Sequence, residues 1–364
     1  MRTPLHDEHL RLGAQMTDFA GWEMPLIYTG IAEETIAVRK SVGLFDLSHM
    51  GEVVLSGPTA LESLQYLTTN NASKLEVGQA QYTLLCDENG GVLDDLIVYR
   101  TAAESYLMVV NASNTEADFE WIRSHVLDGT TATNESPSTS IIAIQGPAAL
   151  SVLAQVADFD VESVKRFNIR QEAVAGIRCL VARTGYTGED GFELLCAWDD
   201  APGLWTSLLE AGKDAGIVPV GLGARDVLRL ESAYPLYGHE LSRDTNPVEA
   251  RLMWVVDLGK GDFVGRDAIR AAKDAGPRKV LAGLEAMERC VPRQGYQVQS
   301  GETPVGSVTS GTFSPTLGKG IALAYLSPEF AAKGTELSIM IRNRACAVRV
   351  VRTPFYKPAT AESA

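Results

Sequence analysis

Twice along this chain a strand-like run passes through a glycine-rich turn into further strand and then a helix. Residues 81–127 run strand, turn, strand, strand, helix, and residues 177–211 run strand, turn, strand, helix. Antiparallel hairpins alternating with helices restrict the chain to α+β architectures and argue against a doubly wound parallel sheet. The two segments are weakly alike, as diverged copies of one unit would be. Around them, apolar spacing predicts strands over 51–55, 81–86, 92–100, 106–111, 141–145, 177–183 and 192–196. Helices are expected after Thr3-Pro4, over 33–42, after Pro58, after the cap Asn114 and after Pro147.

Beyond about residue 275 helical periodicity disappears, and short strands are broken by Gly295, Gly301, Pro304, Gly306, Gly311, Pro315, Gly318 and Gly320. That texture predicts a small all-β barrel of jelly-roll type. The expected organisation is a body over 1–270 made of two α+β lobes, either sequential or interleaved, with a boundary near 135–140. A linker at 271–277, a barrel over 278–358 and a tail at 359–364 follow.

The 364 residues carry a formal net charge of -14, which removes general nucleic-acid binding from consideration. From residue 276 onward, however, eleven Lys and Arg face six Asp and Glu, a balance of +5. Such a basic end on an acidic body can steer an anionic partner, and equally can do no more than solvate strands. No apolar stretch approaches the roughly 18–20 residues of a membrane helix. The start has no basic and apolar leader pattern, so no secretory signal is expected. Five cysteines, widely spaced and without a CxxC, predict a reducing compartment, with neither a zinc site nor a disulfide framework. Cradles of the GxGxxG and GxxxxGK[ST] types are absent.

Three segments carry candidate chemistry. In Asn89-Gly90-Gly91-Val92-Leu93-Asp94-Asp95-Leu96-Ile97-Val98-Tyr99, strand alternation puts Asp94 with Val92, Leu96 and Val98, and Asp95 with Leu93, Ile97 and Tyr99. The two carboxylates therefore point opposite ways, and each is alone on an apolar face. There it is either a functional acid or a partner of backbone donors at the turn. In Arg183-Thr184-Gly185-Tyr186-Thr187-Gly188-Glu189-Asp190-Gly191-Phe192-Glu193, the carboxylate of Glu193 either takes two N–H donors of a planar heterocycle or sits on the rim of an edge strand. In Gly221-Leu222-Gly223-Ala224-Arg225-Asp226-Val227-Leu228-Arg229, the two arginines share a helix face and Asp226 can pair with Arg229. Arg225 near a helix start opposes the dipole, which points to a ligand or partner as much as to packing. Asp46-Leu47-Ser48-His49 holds the residue types of a triad with the wrong facing. His6 and His9 lack a third metal ligand and read as exposed helix residues.

Taken in order, these blocks resemble the aminomethyltransferase family of the glycine cleavage system, the T-protein. The resemblance runs through Thr3-Pro4-Leu5, Asp18-Phe19-Ala20-Gly21-Trp22-Glu23-Met24-Pro25, and Val42-Gly43-Leu44-Phe45-Asp46-Leu47-Ser48-His49-Met50. It continues through the three segments above and ends with Thr309-Ser310-Gly311-Thr312-Phe313-Ser314-Pro315-Thr316-Leu317-Gly318 and Pro354-Phe355. It implies a three-domain α+β cloverleaf around a channel, with residues 1–270 as the folate-binding region. The implied reaction moves an aminomethyl carbon from the lipoyl arm of H-protein to tetrahydrofolate. Its products are 5,10-methylenetetrahydrofolate, ammonia and dihydrolipoyl protein, without a metal.

By the same resemblance Asp95 is the catalytic acid, Glu193 binds the pterin edge and Arg225 contacts folate. Met50, Tyr82, Tyr99, Asn111 and Tyr186 complete the folate-binding set. The implied partners are the lipoylated H-protein and folate, without nucleic acid or membrane, in the cytoplasm. The tail Tyr356-Lys357-Pro358-Ala359-Thr360 lacks the arginines that some relatives carry there. Two alternatives share the fold: a folate-dependent demethylase of a methylsulfonium compound, and a non-catalytic iron–sulfur assembly factor. The second carries a cysteine in a Lys-Gly-Cys-Tyr type motif, and this chain has none between Cys196 and Cys290.

Overall fold

The computed structural model describes residues 1–342 and 344–358. The chain divides into two compact units. The first is Met1–Thr83 with Leu96–Arg225, and the second is Leu84–Asp95 with everything from Asp226 onward.

The first unit opens with helix α1 (His6–Arg11) and the hairpin β1 (Gln15–Phe19) and β2 (Trp22–Ile27). The hairpin turn places Ala20 at φ 53° and Gly21 at φ 80°. Both central residues are left-handed, as a two-residue turn between twisted strands requires. An alanine there is unusual, and it hides the hairpin from sequence reading. Helix α2 (Ile31–Lys40) and strand β3 (Gly43–Asp46) follow. The histidines of α1 correct the expectation of exposure, since His6 and His9 are both buried.

Two lobes of related topology come next, alike through their meanders and differing at the last strand, where β3 lies between β9 and β13. In the first lobe, β4 (Gly51–Ser56) leads to α3 (Ala60–Leu67), the meander β5 (Ala80–Cys86), β6 (Val92–Ala102) and β7 (Ser105–Val110), then α4 (Thr115–His125) and β8 (Thr131–Asn134). The second runs β9 (Thr139–Gln145), α5 (Ala149–Leu153), the meander β10 (Ile169–Val174), β11 (Ile177–Ala182) and β12 (Gly191–Ala197), then α6 (Ala201–Ala211) and β13 (Val218–Pro219). Strand orders are β5-β6-β7-β4-β8 and β10-β11-β12-β9-β3-β13, so each opening strand pairs with the last strand of its meander. Strands β5 and β6 cross from the first unit into the second.

The likeness reaches single residues. Gly57-Pro58 and Gly146-Pro147 start the first helix of each lobe, with Ala60 N–H donating to Gly57 O at 3.0 Å and Ala149 N–H to Gly146 O at 2.9 Å. Both glycines have positive φ, 120° and 130°. A Cβ would meet Gly129 O in one case and Ser41 O in the other. Asn71 and Asp160, at the same spacing, each accept a backbone N–H two residues on. Arg100 donates to Leu75 O at 2.7 Å and lies over Tyr106, while Arg183 donates to Val164 O at 3.0 Å and lies over Phe192. The lobes meet through reciprocal bonds around the Gln79–Asn168 bridge, Ala80 N–H to Phe167 O at 2.7 Å and Ile169 N–H to Gly78 O at 2.8 Å. Exchanging the lobes maps one bond onto the other, which is a local pseudo-twofold axis.

In the second unit, the turn between β5 and β6 seats on its neighbours through glycines. A Cβ on Gly91 would strike Arg243 O, and Val92 N–H donates to Thr245 O at 3.0 Å. Helix α7 (Leu222–Glu231) enters this unit at Asp226, and α8 (Arg266–Ala275) occupies most of the stretch expected to be a linker. Strands β14 (Val280–Ala286), β15 (Gln297–Ser300), β16 (Thr303–Ser314), β17 (Lys319–Leu326), β18 (Glu336–Ile341) and β19 (Arg344–Val351) close a barrel in the order β14-β17-β16-β15-β18-β19. Its core includes Leu284, Val298, Ala324, Ile339 and Val348.

The polar residues of β16, Thr309, Ser310 and Ser314, have a structural role. A bulge between Val308 and Ser310 turns successive hydroxyls toward the same cluster. Arg229, 1% exposed, donates to Glu240 at 2.9 Å, to Asp226 at 2.6 Å and to Ser310 at 2.8 Å. Thr309 donates to the other oxygen of Glu240, and Ser314 and Thr316 donate to Glu231. A buried arginine–glutamate pair is tolerable only with its remaining hydrogen bonds satisfied in this way.

The expectation of five unlinked cysteines is corrected here. Cys290 and Cys346 form a disulfide, their Cα atoms 6.6 Å apart, while Cys86, Cys179 and Cys196 are free and buried. The partners are 56 residues apart in sequence, and the barrel brings them together.

Candidate active site

On β6 the predicted alternation holds. Asp94 is fully buried, beside Val92, Leu96 and Val98, which are buried too, while Asp95 is only half-buried, like Ile97 two residues on. The N–H groups of Asn89 and Gly91 at the preceding turn are both taken by Asp87, at 2.9 and 3.0 Å. Within the mostly buried stretch Val92–Tyr99, Asp95 and Ile97 are the two half-buried positions.

The second candidate segment is held rigid by groups that are not themselves site candidates. Gln145 donates to Thr184 O at 3.0 Å and accepts from Thr187 at 2.9 Å. Arg39 donates to Thr187 O at 2.7 Å and to Glu189 at 2.9 Å, and Arg183 pairs with Asp190. Gly185 and Gly191 are pressed so closely on Gln145 and Ile144 that a Cβ on either would overlap them. Thr187, Glu189 and Asp190 are thus committed to shaping the turn, and Tyr186 and Glu193 beside them are half-buried.

Strand β12 is interior to its sheet, between β11 and β9, so Glu193 is not on an edge strand. It is half-buried between the buried Phe192 and Leu194. Its Oε2 accepts the Thr184 hydroxyl and lies 3.4 Å from the Tyr99 hydroxyl, which is itself 3.0 Å from Thr184 Oγ1. Burial, and then the Glu193 charge, push the Tyr99 phenol well above its ordinary value, so it stays a neutral donor. One carboxylate oxygen is fixed by two hydroxyls, an arrangement that orients the group as an acceptor.

Arg225 lies 4.8 Å over the ring of Tyr186, a cation–π stack that aligns the guanidinium. Its helix starts where Glu34 directs it. Glu34 accepts Gly221 N–H at 2.8 Å on one oxygen and Tyr28 and Thr29 N–H at 2.7 and 2.9 Å on the other. Arg229, one turn on, is spent inside the second unit, so the two arginines that share a face in sequence have separate duties.

Asp46, at the end of β3, anchors the turn that presents His49 and Met50. Its carboxylate accepts from Thr3 at 2.7 Å, His9 Nε2 at 2.8 Å and Ser48 N–H at 2.9 Å. Burial alone would raise its pKa, but these donors hold it below the usual carboxylate value. With Nε2–H on Asp46, His9 Nδ1 accepts the Tyr28 hydroxyl at 2.8 Å. The structure thus joins Tyr99 to Glu193 and Arg225 to Tyr186. Met50 precedes β4, Tyr82 lies on β5 and Asn111 follows β7; all three are half-buried. Sequence reasoning missed Gln145, Glu34, Thr184 and His9, whose partners are remote in sequence.

Among the described residues no group of three or more His, Cys, Asp or Glu is gathered as a metal site would be. No described helix is long and apolar enough to cross a membrane.

Two α+β lobes of related topology, with half-buried polar groups on their strands, followed by a closed barrel, define a multidomain α+β scaffold. Residues 5–260 match the GCVT N-terminal domain family and residues 279–357 the glycine cleavage T-protein C-terminal barrel domain family. The aminomethyltransferase of Halalkalibacterium halodurans is 46% identical over 357 residues, covering 98% of both chains. That of Symbiobacterium thermophilum is 50% identical over 367 residues, covering 98% of this chain and 97% of the relative. The crystal structure of glycine cleavage system aminomethyltransferase T from Bartonella henselae is similar with a TM-score of 0.93 and 34% identity over 98% of each chain. The chain belongs to the glycine cleavage T-protein family of aminomethyltransferases. The demethylase and assembly-factor alternatives find no favour in these relatives.

Proposed function

We propose that this enzyme transfers the aminomethyl carbon from the lipoyl arm of a carrier protein to tetrahydrofolate, in the cytoplasm. The observation that carries the folate assignment is the Glu193 carboxylate, fixed by Thr184 and Tyr99 and half-buried between apolar neighbours. A carboxylate so held suits the paired N–H donors of a pterin edge. Arg225, aligned on Tyr186, suits a carbonyl or carboxylate oxygen of the same substrate. Met50, Tyr82, Asn111 and Tyr186 are assigned to the pocket walls. Residues 1–270 are read as the folate-binding region and 278–358 as the barrel domain.

In the proposed reaction the carbon–sulfur bond of the donor breaks, its electron pair stays on sulfur, and that sulfur takes up a proton as a thiol. The iminium carbon left behind is attacked by N5 of the folate, and the N5 proton released on bond formation balances the one taken up by sulfur. Closure by N10 then expels ammonia, and the N10 proton leaves with it. Positive charge passes through the carbon in both steps. Asp95, on the dry strand β6, is assigned to stabilise that charge and hold the nitrogens in line. The experiment is calorimetric titration with tetrahydrofolate followed by ammonia release from an aminomethylated lipoyl carrier. Binding with folate-dependent ammonia release is expected; a methylsulfonium donor consumed in its place would transfer the assignment to the demethylase.

A further inference from the structure

Strand β9 ends on a buried glutamine that has no counterpart in the first lobe. Gln145 is 1% exposed and stands immediately before Gly146-Pro147, where the first lobe has Ser56 before Gly57-Pro58. The residues paired with them across the sheet differ too, Gly191 beside Gln145 and Ser105 beside Ser56. The second lobe thus sets a long amide against a glycine where the first sets two serines. A Cβ on Gly191 would come within 2.6 Å of Gln145 Nε2, and one on Gly185 within 2.0 Å of Oε1, so both glycines make room for this amide.

Burying a primary amide is unfavourable unless its donor and acceptor are used. Gln145 uses both on one turn. Its Nε2 donates to the Thr184 carbonyl at 3.0 Å, and its Oε1 accepts the Thr187 hydroxyl at 2.9 Å. A carbonyl can only accept, so the amide has a single orientation. The two bonds grip the chain on either side of Gly185-Tyr186. Glycine gives that backbone no stiffness of its own, so the direction of Thr184 depends on the amide. Thr184, held in this way, donates its hydroxyl to Glu193 Oε2 and lies 3.0 Å from the Tyr99 hydroxyl.

We propose that Gln145 is a positioning residue of the folate site: by holding the Thr184 carbonyl it aims the Thr184 hydroxyl, and so sets the orientation in which Glu193 accepts the N–H groups of the substrate. The inference rests on the assignment of Glu193 to folate. It places control of affinity on a sealed side chain that acts through Thr184. Without the amide the Thr184 hydroxyl can turn away, and a carboxylate free to rotate loses the directional part of a charge-assisted bond.

The test measures tetrahydrofolate Kd, the KM and kcat of ammonia release, and Tm for wild type, Gln145→Met, Thr184→Val and the double variant. Gln145→Met keeps the length of the side chain and removes both bonds. Thr184→Val keeps the shape and the backbone carbonyl and removes only the hydroxyl. Each single variant should raise Kd and KM about tenfold. Turnover should stay within about twofold of wild type, because Glu193 is assigned to binding and not to the bond changes. The double variant should bind no more weakly than the weaker single, since the amide acts through that hydroxyl. Should Gln145→Met not fold, Gly185→Ala, which drives a methyl group against Oε1, gives the same reading. An unchanged Kd in the variant that folds overturns the inference. Losses that add in the double variant overturn it too, and so does a fall in kcat as large as the rise in Kd. If wild type itself binds no tetrahydrofolate, it is the folate assignment that fails.

Discussion

The two lobes share a scaffold and differ in the side chains they carry at equivalent positions. On the cross-strand row next to the pseudo-twofold axis, the first lobe pairs Tyr99 with Leu107, and the second pairs Ala182 with Glu193. The large residue of one lobe reaches across to the acid of the other, where the small alanine leaves room. One row away, Glu52, Val109 and Ile97 in the first lobe correspond to Ile141, Leu195 and Leu180 in the second. Duplication supplied the sheets, and departures from the repeat supply the polar groups. Residues common to both lobes are therefore read as structural and those unique to one lobe as functional.

The sharpest break in that symmetry is Asp95. Asp95→Asn should lower turnover about 100-fold or more while changing folate affinity far less, as loss of a catalytic acid does; single-turnover kinetics beside calorimetry separate the two. Shared positions should fail alike. Gly57→Ala and Gly146→Ala each force a side chain into a left-handed backbone against a carbonyl oxygen, and each should cost about 2–3 kcal/mol in chemical denaturation. A large difference between them would break the equivalence. Glu193→Ala should weaken tetrahydrofolate by about 1–3 kcal/mol, whereas Leu107→Ala, its counterpart, should act on stability. Tyr99→Phe removes one hydroxyl from Glu193 and should cost about 1 kcal/mol of affinity or less.

A separate effect is on acid stability. The folded His49 value lies below that of the unfolded chain, so between about pH 6.5 and 4 the unfolded state binds more protons. Stability therefore falls as pH falls through that window, and His49→Phe should flatten the slope. Asp46 is also held low, so its contribution is present above the unfolded value near 3.9 and is lost only in stronger acid. A denaturation series from pH 7 to 3 reads both.

Local pattern was enough for the meanders, because hairpin strands alternate and their turns carry glycine. It placed Asp94 and Asp95 on opposite faces, and β6 agrees. It gave no sign of the first hairpin, whose turn begins with Ala20, nor of the disulfide, whose partners meet only when the barrel closes. His9 looked like a surface residue because Asp46 and Tyr28, which hold it, lie on other elements. Gln145 and Glu34 carry no local motif, and their importance comes from the backbone N–H and carbonyl groups that the fold brings to them. The duplication was visible as strand order, but its axis required the reciprocal bonds at Gln79 and Asn168.

The central claim is the transfer itself, and the direct measurement mixes the enzyme with an aminomethylated lipoyl carrier, with and without tetrahydrofolate, and quantifies ammonia and 5,10-methylenetetrahydrofolate together. The account predicts that both products appear in equal amounts and only when folate is present. Ammonia released at the same rate without folate, or folate left unchanged while ammonia accumulates, would contradict it.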